Sequence, residues 1–343
     1  MELEQQFLSL LGIVEGMQKR VYQLEEGNKQ LIRGQKQLLE WAEQNQQDNV
    51  YFQENAVYEL YDSMRHSLEK CFPKIASGEE AVEEIVKNGK SLARFGDGEF
   101  AVIAGRNRHR FQTEMSQELV EKLKCVLQSE DEQLLVGIAD NYGSLEKYTA
   151  QAKREIRCYL NPQVRKEHLA LLKPGKMYYD AYVTRPYVMY ADQQTEGPGR
   201  RFQNLKRIWE GRKCIFVEGC FTGLSVGNDL FDNAGSIQRI LGPAENAFSR
   251  YQEILDCCLQ QSKDTLFLLA LGATATILAS DLCRAGYQAV DVGHIDLEYE
   301  WFLKGEGRRT PVDGKYNNEI EEEQELLPIE DETYMAQIIA DFS

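Results

Sequence analysis

Leu92-Ala-Arg-Phe-Gly-Asp-Gly-Glu-Phe100 is the stretch from which the rest of this 343-residue chain is best read. A short apolar lead, with Arg94 inside it, runs into Gly96-Asp97-Gly98-Glu99. Two carboxylates stand one residue apart. Each follows a glycine, which lets the backbone turn tightly and approach a ligand. Carboxylates this close repel one another unless a proton or a cation lies between them. At the end of a strand they would seat a hard divalent cation that holds a phosphate. The plainer reading is a solvated acidic turn, since Asp and Gly are ordinary turn formers.

Outward from that stretch the pattern alternates. Candidate strands are Ser91–Phe95, Leu134–Ala139, Met177–Val183, Cys214–Glu218, Ser236–Leu241, Leu266–Leu271 and Ala289–Val292. Several are unbroken apolar runs, as parallel strands buried on both faces require. Helical patterns fall at Glu79–Asn88, Gln117–Leu127, Leu145–Tyr159, Arg200–Trp209, Ala247–Gln260 and Ala275–Ala285. The alternation predicts an α/β domain with a mostly parallel sheet flanked by helices.

A long coiled-coil helix is expected ahead of this domain. Leu3, Leu10, Met17, Leu24, Leu31 and Leu38 recur every seven residues, interleaved with Phe7, Val14, Val21, Asn28, Gln35 and Ala42. Branched a residues with leucine at d favour two parallel strands, and a buried Asn sets register. A homodimer through residues 3–45 is expected; the alternative is a helix that folds back on its own domain. Gln46-Gln-Asp-Asn49 reads as a hinge, and residues 54–71 as a further helix stopped at Pro73. The expected organisation is residues 1–48 as dimerisation helix, 49–77 as helical linker, 78–328 as catalytic domain and 329–343 as tail or short helix. Glu319–Glu325 reads as a solvated charge run in an extended arm over 305–328.

Composition excludes several classes. A net charge of −16 argues against a general nucleic-acid binder and against adsorption to an anionic membrane. No run of about 18 apolar residues exists to span a bilayer. The N-terminus lacks the basic flank and apolar core of a signal peptide. The eight cysteines are scattered and none forms Cys-x-x-Cys. They read as reduced thiols of a cytoplasmic protein.

The strand ends carry polar residues of a consistent kind. Thr184-Arg185-Pro-Tyr follows the third strand. Gly219 opens a Gly/Ser/Thr connection that ends in Asn228-Asp229. It is neither a dinucleotide fingerprint nor a Walker loop. Gly272-Ala-Thr274-Ala-Thr276 reads as a turn into a helix start, where free N–H groups favour an anion; the threonines would serve equally as caps. His294 precedes Asp296, Glu298 and Glu300. If a helix begins near Asp296, then Asp296 and Glu300 share a face and offer a metal ligand or a general base.

Taken together, these motifs resemble the GT-D type glycosyltransferases. The resemblance rests on Ala-Arg-Phe-Gly-Asp-Gly-Glu-Phe, Val226-Gly-Asn-Asp-Leu-Phe-Asp-Asn-Ala234, Asn246-Ala-Phe248, Leu271-Gly-Ala-Thr-Ala-Thr276 and the Gly286–Phe302 run. It covers about residues 78–320, a family that includes glucosyltransferases extending O-linked glycans on serine-rich bacterial adhesins. It implies a Rossmann-like domain, a UDP-sugar donor, a glycan or glycoprotein acceptor, and Mn²⁺ or Mg²⁺. It sets the family's metal-binding Asp-x-Glu on Asp97 and Glu99. The family pattern also has an arginine shortly before Val-Gly-Asn-Asp, where this chain has Gly223. On this reading Asp97, Glu99 and His294 hold the metal. Arg94, Gly96, Arg185, Asn228, Asp229, Gly272 and Thr274 hold the donor, and Glu300 or Asp296 is the base. The rival readings are a metal-dependent phosphohydrolase and a catalytically weak scaffold subunit.

Overall fold

The structure, a computed structural model, describes residues 2–63, 72–106, 112–317 and 329–343. The Glu319–Glu325 charge run and residues 64–71 lie outside them. The chain forms two units, Met1–Leu60 and Tyr61–Ser343.

The first unit is helical from Glu2 onward, within α1 (Glu2–Ser63). The hinge expected at Gln46–Asn49 is absent, and the helix continues through it. Gln and Asn cost only a few tenths of a kcal/mol in a helix. The Gln44 amide donates to Asp48 at 2.9 Å one turn on, which supports the helix there. Leu24, Leu31 and Leu38 are exposed along it.

The second unit is built on a nine-stranded sheet. Its strands are β1 (Lys74–Ala76), β2 (Ser91–Phe95), β3 (Leu134–Ile138), β4 (Met177–Asp180), β5 (Lys213–Gly219), β6 (Ser236–Gly242), β7 (Leu266–Ala270), β8 (Gln288–Asp291) and β9 (Ile338–Asp341). Their order is β1-β4-β3-β2-β8-β7-β5-β6-β9, and every described pairing is parallel. Both edges fall outside the sequence expectation. β1 lies in the segment read as linker, and β9 in the segment read as tail.

The central strands alternate between two cores. Phe95, Val136, Val217, Phe267 and Ala289 face one; Leu92, Leu135, Phe216, Leu268 and Val290 face the other. Burial on both faces explains the unbroken apolar runs. Each fully buried Leu, Val or Phe contributes about 1.5–3 kcal/mol relative to exposure.

The helices cover the two faces. They are α2 (Gly78–Asn88), α3 (Asp97–Ile103), α4 (Gln117–Leu127), α5 (Ala150–Tyr159), α6 (Pro162–Leu171), α7 (Gly197–Lys206), α8 (Tyr251–Leu259), α9 (Ala273–Arg284), α10 (Ile295–Lys304) and α11 (Glu332–Gln337). Caps set their starts: Ser77 with Glu80 forms a capping box for α2, and Asn161 with Pro162 opens α6. The helix expected over Leu145–Tyr159 begins only at Ala150, because Thr149 caps it. The strand expected to reach Val183 ends at Asp180, whose side chain accepts the Tyr182 N–H and starts a 3-10 turn.

Candidate active site

Parallel strands gather their carboxyl ends on one edge, where ligands of such sheets bind. Here β2 and β8 are neighbours, with β3 and β4 stepping away on one side and β7, β5 and β6 on the other. A cavity of about 360 Å³ opens at this edge. The Arg94–Glu99 stretch lines it, with Arg185, Gly219, Gly272, Gly293, His294 and Asp296. Five separate strand ends therefore contribute to one wall.

Asp97-Gly-Glu99 is the first turn of α3 rather than a loop. Gly96 is the N-cap, and the Oε2 atom of Glu99 accepts the Gly96 N–H at 2.7 Å. This is the return half of a capping box. The unpaired N–H groups of a helix start favour acids there, so one short turn tolerates two carboxylates. Asp97 is exposed and Glu99 half-buried.

Arg94 reaches from β2 to β8. Its Nη2 meets Asp291 Oδ1 at 2.7 Å and its Nε donates to the Asp291 carbonyl at 2.8 Å. Burial pushes the Asp291 carboxyl above its ordinary value, and the Arg94 charge pulls it back. A Cβ on Gly293 would come within 2.0 Å of Arg94 Nη2, so only glycine lets the guanidinium lie there. Arg185 Nη2 donates to His294 Nδ1 at 3.0 Å. A guanidinium has no acceptor, so Nδ1 must accept and the ring proton sits on Nε2. In this arrangement His294 presents Nε2–H as a hydrogen-bond donor.

Asp296 and Glu300 do share one face of α10. Asn228 Nδ2 donates to Asp296 Oδ1 at 2.9 Å and to Glu300 Oε1 at 2.7 Å. Lys315, which the sequence reading missed, pairs with Asp296 Oδ2 and lies 3.2 Å from Glu300 Oε1. Asp296 lines the cavity and Glu300 does not. Asn228 is thus turned toward the carboxylates and lies off the cavity wall. Asp229 accepts from Tyr299 Oη at 2.7 Å and pairs with Lys206 at 3.2 Å, also off the wall. Thr274 is fully buried behind Gly272 and Ala273. Among the described residues its hydroxyl has no hydrogen-bond partner. Gly223 has φ +58°, and a Cβ there would meet Ile329 Cδ1 at 2.9 Å. An arginine at this position, as in the family pattern, would be strained in this backbone.

Among the described residues, no group of three or more His, Cys, Asp or Glu is placed to hold a metal ion. Asp97, Glu99 and His294 do not form a three-ligand cage. The acidic pair fits a looser mode, in which Mg²⁺ or Mn²⁺ takes one or two carboxylates and completes its shell with phosphate oxygens and water. His168 also lines the cavity; nothing in the sequence pattern singled it out.

The fold and this wall define a Rossmann-like α/β protein with a polar cleft at its strand ends. The chain belongs to the family described as "Glycosyltransferase GT-D fold", which matches residues 92–320. It is 32% identical over 271 residues to a probable glycosyl transferase, Gly, of Streptococcus gordonii, covering 78% of this chain and 39% of that protein. It is 35% identical over 263 residues to glycosyltransferase GlyD of Streptococcus pneumoniae serotype 4, covering 76% and 32%. The chain thus spans 39% and 32% of the length of these two relatives. A solved glycosyltransferase (DUF1792) from Streptococcus sanguinis superposes with a TM-score of 0.74 at 32% identity, covering 79% of this chain and 100% of that one. A second solved structure, of domain of unknown function 1792 with a distinct glycosyltransferase fold, gives a TM-score of 0.73 at 32% identity, over 79% and 96%. Among the described residues, no helix is long and apolar enough to cross a membrane.

Proposed function

We propose that the chain is a metal-dependent glycosyltransferase that moves a sugar from a UDP-sugar to a glycan or glycoprotein hydroxyl, with UDP-glucose the donor to try first. The observation that carries this reading is the wall itself. Asp97 and Glu99 stand on one side of the cavity, and the Arg185–His294 pair and the start of α9 also line it. Cleaving the bond between sugar and UDP builds negative charge on the diphosphate. Arg185 meets that charge with a guanidinium, His294 with Nε2–H, and α9 with the positive end of its dipole. Asp97 and Glu99 would hold Mn²⁺ or Mg²⁺, which when bound would supply Lewis-acid stabilisation of the same leaving group. Arg94 acts from beneath by fixing β2 to β8.

An acceptor hydroxyl must give up its proton to a group within reach. Asp296 takes that role, since it reaches the cavity. Glu300 anchors Lys315 and Asn228 behind it. The chain works as a homodimer through α1, in the cytoplasm where nucleotide sugars are made. Hydrolysis of a UDP-sugar panel with and without Mn²⁺ tests the reading. Calorimetry that shows no UDP binding with Mn²⁺ present would instead support a scaffold subunit.

A further inference from the structure

α3 carries both acidic residues of the donor site, yet it is only seven residues long. A helix that short does not sustain itself, and its place depends on what packs against it. Two contacts come from one buried side chain, His168 on α6. Its ring stacks on Phe100 of α3, with centroids 3.8 Å apart and planes 15° from parallel. Its Nε2 lies 3.0 Å from Tyr159 Oη, and Tyr159 Oη donates to the Asp97 carbonyl at 3.4 Å. On the other side, Nδ1 lies 3.0 Å from the Tyr142 hydroxyl.

A continuous run of hydrogen bonds thus leads from Tyr142 through both ring nitrogens of His168 and the Tyr159 hydroxyl to the backbone of Asp97. Tyr142 and His168 are buried, and α5 and α6 carry Tyr159 and His168 on consecutive helices.

We propose that His168 is a positioning residue for the donor-phosphate site, setting the first turn of α3 and with it the aim of Asp97 and Glu99. It acts through Phe100 and Tyr159 and touches no reacting atom. The proposal rests on the glycosyltransferase reading of that turn. Groups that orient metal-binding residues without touching the ion typically change its affinity 10–100-fold when removed.

The test is the Mn²⁺ concentration that gives half-maximal UDP binding to the full chain, read by calorimetry. His168→Phe keeps the stack on Phe100 and removes both ring nitrogens; Tyr159→Phe removes the single hydroxyl that reaches Asp97. Each is expected to raise that concentration about tenfold. His168→Gln, which restores a side-chain N–H donor, is expected to recover part of the loss. Should His168→Phe fail to fold, Tyr159→Phe carries the test, since it deletes one oxygen from a half-buried residue. Variants that melt lower but need no more Mn²⁺ would overturn the proposal and leave His168 as packing. Wild-type protein that binds no UDP with Mn²⁺ would overturn the donor-site reading, and this inference with it.

Discussion

Glu99 can be tested apart from the helix it caps, because glutamine keeps the cap and loses the charge. In Glu99→Gln the amide oxygen can still accept the Gly96 N–H now taken by Oε2. Thermal stability is expected to hold, while turnover of a UDP-sugar with Mn²⁺ falls at least about 100-fold, since a carboxylate on a catalytic metal supplies several kcal/mol. Unchanged turnover would remove Glu99 from the metal site. His168 gives a pH signature of its own. Burial, chiefly, lowers its pKa to about 4, with Arg106 lowering it further and Glu167 and Asp97 opposing. The unfolded chain binds that proton near pH 6.5. Between those values the unfolded state holds more protons, so stability falls as pH drops from about 6.5 to 4, by on the order of 3 kcal/mol at most. Asp180, raised to about 6 by burial, acts in the opposite direction in the same window. The measurement is therefore the difference in urea stability between wild type and His168→Phe across pH 4–7, in which the His168 contribution appears alone. The part played by His168 was not legible in sequence. The contacts of His168 lie 9, 26 and about 70 residues away, and no local pattern announces them.

At the scale of elements, the sequence declared what repeats or what is buried on both sides. β3 and β7 are apolar runs, β2, β5 and β8 have apolar centres, and burial against two cores explains both patterns. α3 stayed hidden because Asp-Gly-Glu has the composition of a turn; the signal against it was Glu99 three residues after Gly96. β9 stayed hidden because a four-residue strand, Ile338–Asp341, at a sheet edge buries little of its own. What holds the C-terminal segment is side-chain chemistry from β6. Arg239 pairs with the fully buried Glu218, donates to Gln337 of α11 at 2.7 Å and to the Leu224 carbonyl at 2.9 Å, and stacks 4.3 Å from the Tyr334 ring centroid. Glu218 in turn accepts the Leu224 N–H at 2.8 Å, in the middle of the 219–229 connection. One arginine thus ties α11 and a cavity loop to the sheet. Arg239→Met leaves Glu218 buried and unpaired, and is expected to cost about 3–5 kcal/mol in urea unfolding. A loss under 1 kcal/mol would mean that Glu218 takes up a proton and the C-terminal segment docks by its apolar contacts alone.

For the whole molecule, the open question is what covers α1. From Leu10 to Leu38, Leu10, Val14, Met17, Val21, Leu24, Leu31 and Leu38 are all exposed, although they form one stripe. Contiguous apolar surface on that scale marks an interaction site. The heptad spacing suits a second copy of the same helix, the occupant proposed above. The four glycines, Gly12, Gly16, Gly27 and Gly34, fall off the a and d positions, so none interrupts the seam. Asn28 sits in the a series, where pairing with its own counterpart fixes a parallel register at some cost in stability. Arg20 at g and Glu25 at the next e can pair between helices in that same register. Each buried leucine is worth about 1.5–3 kcal/mol, which the described d leucines set against the cost of the two polar layers at Asn28 and Gln35. The full chain is expected to sediment as a dimer. Leu24→Glu with Leu31→Glu places like charges in the seam and is expected to give monomers with UDP binding intact. Asn28→Val is expected to raise the melting temperature of the assembly while admitting species larger than a dimer. A double-glutamate variant that remains dimeric would move the interface out of α1 and into the second unit. The stripe would then belong to another protein, whose recognition would have to reproduce the same seven-residue spacing.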